Sequence, residues 1–144
     1  MLSKKQARAF FLGGTLVTFL VFIGLTIYSF SKPQDQSNAE NITEAVVRGK
    51  ILWEENNCMG CHTLLGEGAY YAPELTKVIE RRGEGYIKAV LTTPVAWEPN
   101  GRKMVAYGFS NEEAADLIAF FDWIDDIDLN GFDTVVSPLS KDDN

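Results

Sequence analysis

The sequence predicts an all-α protein: a single N-terminal transmembrane helix followed by a small helical domain of about four helices. Three features lead there. Residues 10–30, FFLGGTLVTFLVFIGLTIYSF, carry no charge over twenty-one positions, and a helix needs ~20 apolar residues to cross the hydrocarbon of a bilayer. Downstream, apolar residues recur at helical spacing between capping residues, most clearly over 110–125. No stretch alternates apolar and polar residues as a half-buried strand would.

Residues 1–9 form a short basic N-terminus. Lys4, Lys5 and Arg8 precede the span and Lys32 alone follows it closely, which predicts a cytoplasmic N-terminus and everything after the span outside. The apolar run exceeds the roughly 7–15 residues of a signal-peptide core, and YSFSKPQ has no small-residue cleavage pattern. An uncleaved anchor is therefore expected over 10–30. Residues 31–40 are polar, contain Pro33 and show no periodicity, which reads as a linker.

The domain itself is expected over 41–144. Asn41 and Glu44 resemble a capping arrangement opening a helix to about Asn56, with Val46, Gly49, Leu52 and Trp53 on one face. APELTKVIERRG predicts a short helix with Pro73 at its start and Gly83 past its end, and EGYIKAVLTTP another stopped by Pro94. Residues 93–109, rich in Pro, Gly and aromatics, make a loop long enough to imply a function. Ser110 and Glu113 form a capping box for the last helix, on which Ala114, Leu117, Ile118, Phe121 and Ile124 share a face. So small a core, with so much irregular chain, would gain from a bound cofactor.

The net charge of −7 hides an asymmetry: residues 33–144 hold nine basic and twenty acidic residues, a net of −11. That disfavours nucleic acid and anionic lipid headgroups. It suits a basic or mildly charged protein partner, and it equally serves plain solubility.

Both cysteines and the single histidine lie within five positions, in CMGCH, residues 58–62. C-x-x-C-H is the attachment signature of a c-type haem. Cys58 and Cys61 can each bond a haem vinyl carbon from one turn, and His62 then supplies the proximal imidazole. A tetrahedral zinc site wants four ligands, one more than these three residues provide. A redox dithiol would open a helix in a βαβ setting that is absent here.

The sixth position decides between ligand chemistry and electron transfer. No second histidine exists. Met1 falls on the cytoplasmic side, and Met59 lies inside the binding motif. Met104, in the long loop, remains by elimination; its bland alternative is a flexible core filler. Thioether ligation raises the potential and closes the iron to substrate, so such a haem passes single electrons.

On these residues the soluble part resembles the cytochrome c fold. Gly49 and Trp53, at i and i+4, look like the small-then-aromatic pair over which the family's C-terminal helix crosses. MVAYGFS, residues 104–110, resembles its methionine loop. Pro73 is placed like the proline whose carbonyl accepts the proximal histidine's N–H, although its spacing equally suits a helix start.

The whole chain is more narrowly similar to the small, membrane-anchored cytochrome c subunits of bacterial respiratory nitric oxide reductases, with GEGAYYAPELT, residues 66–76, as the most specific match. That resemblance implies a haem domain on the periplasmic face of the inner membrane and no catalytic site in this chain alone. It implies a soluble donor, a cytochrome c or cupredoxin, and a large membrane subunit holding haem b, haem b3 and non-haem iron, where two NO become N2O and water. It further implies a calcium site at the interface with that subunit, to which Gly68 and Tyr70 contribute through backbone carbonyls; packing of Tyr70 and Tyr71 against the chain's own haem is the alternative.

Other readings remain open: a c-type subunit of a haem-copper oxidase, a tethered electron shuttle, or a haem-based gas sensor. Asp126, Asp128, Asn130 and Gly131 match the first half of an EF-hand loop, but position 137, which should be glutamate, is Ser137. This stretch is expected to be a helix terminus leading into an acidic tail.

Overall fold

A computed structural model describes residues 3–32, 37–98 and 101–131, in two units, Met1–Gln36 and Ser37–Asn144. The first unit is one helix, α1, Lys4–Ser31, of 28 residues. Ser3 and Gln6 close a capping box at its start, with Gln6 N–H donating to Ser3 Oγ at 3.3 Å and Ser3 N–H to Gln6 Oε1 at 2.9 Å. Thr18 and Thr26 return their hydroxyls to the carbonyls of Gly14 and Phe22, so these two polar groups of the apolar stretch are satisfied within the helix itself. By length and composition α1 can cross a membrane.

In the second unit, helix α2 spans Glu44–Glu55. Its cap is Thr43, which accepts from Val46 N–H at 3.3 Å, and not Asn41. Asn41 belongs to a separate 3-10 turn, Ala39–Asn41, so it cannot take the extended conformation an N-cap needs. The expected face is present: Val46, Gly49 and Trp53 are buried, and Leu52 packs at the core's edge.

Next come a 3-10 turn, Cys58–Gly60, and a minimal antiparallel hairpin, β1 Thr63–Leu64 with β2 Glu67–Gly68, in register Thr63↔Gly68. Two-residue strands are too short for an alternating pattern, and the sequence gives no sign of them. Helix α3 is five residues, Val78–Arg82, and Pro73 does not start it. Pro73 lies outside any helix or strand, and Lys77, with φ 58°, turns the backbone into the helix. The opening turn of α3 is served from elsewhere: Asp125 Oδ2 accepts from Glu80 N–H at 2.8 Å. Gly83, with φ 78°, ends α3 and leads into α4, Glu84–Thr92, after which Thr93 is extended ahead of Pro94, as the residue before proline prefers.

Helix α5, Asn111–Asp125, has the expected capping box: Ser110 N–H donates to Glu113 Oε2 at 2.8 Å and Glu113 N–H to Ser110 Oγ at 3.2 Å. It buries Ala114, Leu117, Phe120, Phe121 and Ile124. It crosses α2 at Gly49, where an added Cβ would sit 2.1 Å from the Asp116 carbonyl oxygen. Beside that crossing the Arg48 guanidinium forks onto both Asp116 oxygens at 2.7 Å. Trp53 meets Phe121 edge to face at 5.6 Å.

After α5, Asp126 is the C-cap, Asp128 Oδ1 accepts from Asn130 N–H at 2.8 Å, and Asn130 and Gly131 have φ of 54° and 78°. This is a helix terminus and turn, and among the described residues no group of three acidic, histidine or cysteine side chains is arranged to hold a metal. Ser137 and the acidic tail lie outside the described residues.

Candidate functional site

Cys58 and Cys61 stand at the two ends of one turn of backbone, closed by Cys61 N–H and His62 N–H, which both donate to the Cys58 carbonyl, at 3.1 and 2.9 Å. The tight entry has a local cause. Asn57 takes φ 50°, a left-handed conformation that asparagine tolerates better than most residues. Its side chain then covers Gly60, where a Cβ would come within 2.8 Å of Asn57 Nδ2. Both thiols are free, Cys58 half-buried and Cys61 exposed. Burial, with Cys61 close by, pushes the Cys58 thiol up to about 11.

His62 Nδ1 lies 2.7 Å from the Pro73 carbonyl oxygen. A carbonyl only accepts, so Nδ1 carries the proton and Nε2 is left with its lone pair. Burial lowers the His62 pKa, against the opposing pull of the Pro73 carbonyl, which keeps the ring neutral. The imidazole packs near Trp53, ring centres 6.3 Å apart.

Residues 66–76 are stitched along the cysteine-histidine turn. Ala69, Ala72 and Leu75 donate their N–H groups to the carbonyls of Met59, Cys61 and Thr63, at 3.0, 2.8 and 2.9 Å. Thr76 Oγ1 accepts from Leu65 N–H at 2.7 Å, and the buried Glu74 accepts from Thr76 N–H at 2.8 Å. Arg81 reaches back to the carbonyls of Glu74 and Thr76 and pairs with the Glu74 carboxylate at 3.6 Å. These braces hold the Pro73 carbonyl against His62. The sequence carried the proline but not the Glu74–Arg81 pair, because nothing in local spacing marks a buried carboxylate.

Gly68 and Tyr70 lie in this same run. Gly68 has φ 123°, and a Cβ there would meet the His62 carbonyl oxygen at 2.2 Å, so the hairpin itself requires glycine. Tyr70 and Tyr71 are both about half exposed.

Met104 is half-buried at the edge of the core. Its backbone pairs with Trp97 in an antiparallel bridge, Trp97 N–H to Met104 O at 3.0 Å and Met104 N–H to Trp97 O at 2.7 Å. Tyr107, three residues on, stacks on Phe109 at 5.3 Å. Its hydroxyl is pushed up by burial and by the charges of both cysteines, and Cys58, Met104 and Tyr107 pack against the same core. Two thiols, a neutral imidazole with a free nitrogen and a thioether form a donor set suited to a thioether-bonded iron porphyrin. The chain's residues fit that group.

Fold and donor set together define a c-type cytochrome, and residues 46–125 match the Cytochrome c family. Three curated relatives each bear the name of the C subunit of nitric oxide reductase: that of Stutzerimonas stutzeri is 41% identical over 89% of this chain and 91% of its own length. That of Halomonas halodenitrificans is 43% identical over 88% and 91%. That of Paracoccus denitrificans is 38% identical over 85% and 88%. The chain belongs to the family of nitric oxide reductase C subunits, cytochromes that carry haem c and transfer electrons.

Proposed function

We propose that Cys58 and Cys61 bond the haem covalently, that His62 Nε2 is the proximal ligand and that Met104 is the distal one. Haem held by these residues would supply one-electron transfer. The chain's own residues set the conditions for that chemistry. Pro73 fixes the imidazole's tautomer and direction, the Glu74–Arg81–Thr76 network fixes Pro73, and the Trp97 bridge fixes the Met104 backbone.

Residues 1–9 would then be cytoplasmic, 10–30 the membrane span, 31–40 the link and 41–144 the periplasmic domain. The chain accepts single electrons from a soluble donor, a cytochrome c or cupredoxin. It hands them to a large membrane subunit with haem b, haem b3 and non-haem iron, where two NO, two electrons and two protons give N2O and water. Gly68 and Tyr70 would offer backbone carbonyls to a calcium ion at that interface, oxygen donors that a hard cation prefers.

The observation that carries this reading is the Pro73 carbonyl on His62 Nδ1, which makes Nε2 the basic nitrogen of a histidine on the same turn as both cysteines. The test is what purifies with the chain from detergent-solubilised membrane. The expected result is a large subunit with haem b, non-haem iron and NO-reducing activity driven by reduced donor; copper, or neither haem b nor non-haem iron, overturns it.

A further inference from the structure

We propose that Tyr71 is a positioning residue for Met104, a role that rests on Met104 being the distal ligand. The Tyr71 hydroxyl accepts from Lys103 N–H at 3.2 Å, across thirty-two positions of sequence. In extended chain successive N–H groups point to opposite sides. Trp97 therefore holds the Met104 peptide from one edge while Tyr71 holds the preceding peptide from the other.

Tyr71 is itself anchored on the proximal side. Its neighbour Ala72 donates to the Cys61 carbonyl at 2.8 Å, and Pro73, one residue further, accepts from His62. Within three consecutive residues the chain thus contacts a cysteine of the attachment turn, the proximal histidine and the methionine loop. The hydroxyl is what closes this frame, and losing it leaves the methionine backbone held by the Trp97 bridge and by its flanking chain. Lys103 is exposed, so water replaces the lost acceptor and the loop opens more readily without the domain unfolding.

Tyr71→Phe removes the oxygen and keeps the ring. The experiment uses the full-length, haem-loaded chain in detergent and titrates the ferric form with imidazole, which competes with a weak thioether ligand. The near-infrared charge-transfer band of histidine–methionine haem reports the native ligand. One net hydrogen bond corresponds to an opening equilibrium roughly two- to tenfold more favourable, so Tyr71→Phe is expected to bind imidazole two- to tenfold more tightly and to lose the band at lower temperature. Met104→Ala should lack the band altogether. Unchanged imidazole affinity in Tyr71→Phe overturns the proposal while leaving the ligand assignment standing, as does a fall in global melting temperature without any change in imidazole affinity. A wild-type protein without the band overturns the ligand assignment, and the positioning role with it.

Discussion

At Gly49, helices α2 and α5 meet in close contact. With a Cβ the residue would lie 2.1 Å from the Asp116 carbonyl oxygen and 2.8 Å from Phe120 Cβ, and neither backbone nor a buried Cβ can rotate away. Gly49→Ala gains ~1 kcal/mol of helix propensity, but it must separate α2 from α5, and overpacking of a fixed core costs up to about 3 kcal/mol or more. The expected net loss is about 2 kcal/mol, read as a lower midpoint in chemical denaturation; a variant as stable as the wild type would show that the crossing can slide. The glycine of the attachment turn works on the same principle at smaller range, since Gly60 gives room to the Asn57 side chain. Gly68, similarly, is demanded by the His62 carbonyl at 2.2 Å. The run 66–76, of which the sequence assigned Pro73 to the histidine and Gly68 and Tyr70 to a partner interface, thus has a further local duty at Gly68.

Helix α5 ties the domain together through its first turns, and those contacts titrate. The Arg48 guanidinium, chiefly through its hydrogen bond, holds the Asp116 carboxyl below the usual carboxylate range. Ser110 N–H does the same for Glu113. For both groups the folded-state pKa lies below that of the unfolded chain. Their contribution is therefore fully present above pH ~4–4.5 and is lost as pH falls through the lowered values. Asp125 at the other end is raised by burial and works in the opposite sense, favouring the folded state when protonated and losing that contribution as pH rises through its raised value. Asp116→Asn is expected to lower the melting temperature at pH 7 and to narrow the drop between pH 7 and pH 3.5; an equal drop in variant and wild type would remove the ion pair from the acid response. What the sequence made legible at this scale follows from range. The Ser110–Glu113 box lies within one turn, so residue types at i and i+3 reveal it. The start of α3 was not legible, because the Pro73 carbonyl is engaged by His62, eleven residues back, and Asp125 serves the helix's first turn from forty-five residues away. The site divides in the same way: its donor atoms follow from residue chemistry at fixed spacing, while the Tyr71–Lys103 and Glu74–Arg81 contacts exist only once the chain has folded.

At the scale of the whole domain, a small core depends on what completes its edge. The fully buried apolar side chains come from α2, β1, α3, α4, Phe109 and α5, while Leu52, Cys58, Met104 and Tyr107 are only partly buried against them. Fully burying a large apolar side chain is worth ~1.5–3 kcal/mol, so half-burial at Leu52, Met104 and Tyr107 forgoes on the order of 1 kcal/mol each. In a domain near 100 residues each kcal/mol moves the melting temperature by roughly 4–8 °C. A group bonded to Cys58 and Cys61, as proposed, could not dissociate as the domain opens, and it would cross-link both residues to whatever packs on it. Replacing both cysteines by serine, which prevents attachment, is therefore expected to lower the melting temperature by roughly 12–24 °C or to abolish cooperative unfolding. Thermal unfolding followed by near-ultraviolet circular dichroism on the detergent-solubilised chain reads this directly. If the doubly substituted, haem-free chain melted cooperatively within a few degrees of the loaded one, Leu52, Met104 and Tyr107 would owe nothing to the cofactor. The marginal core inferred from composition would then be held by its helices alone.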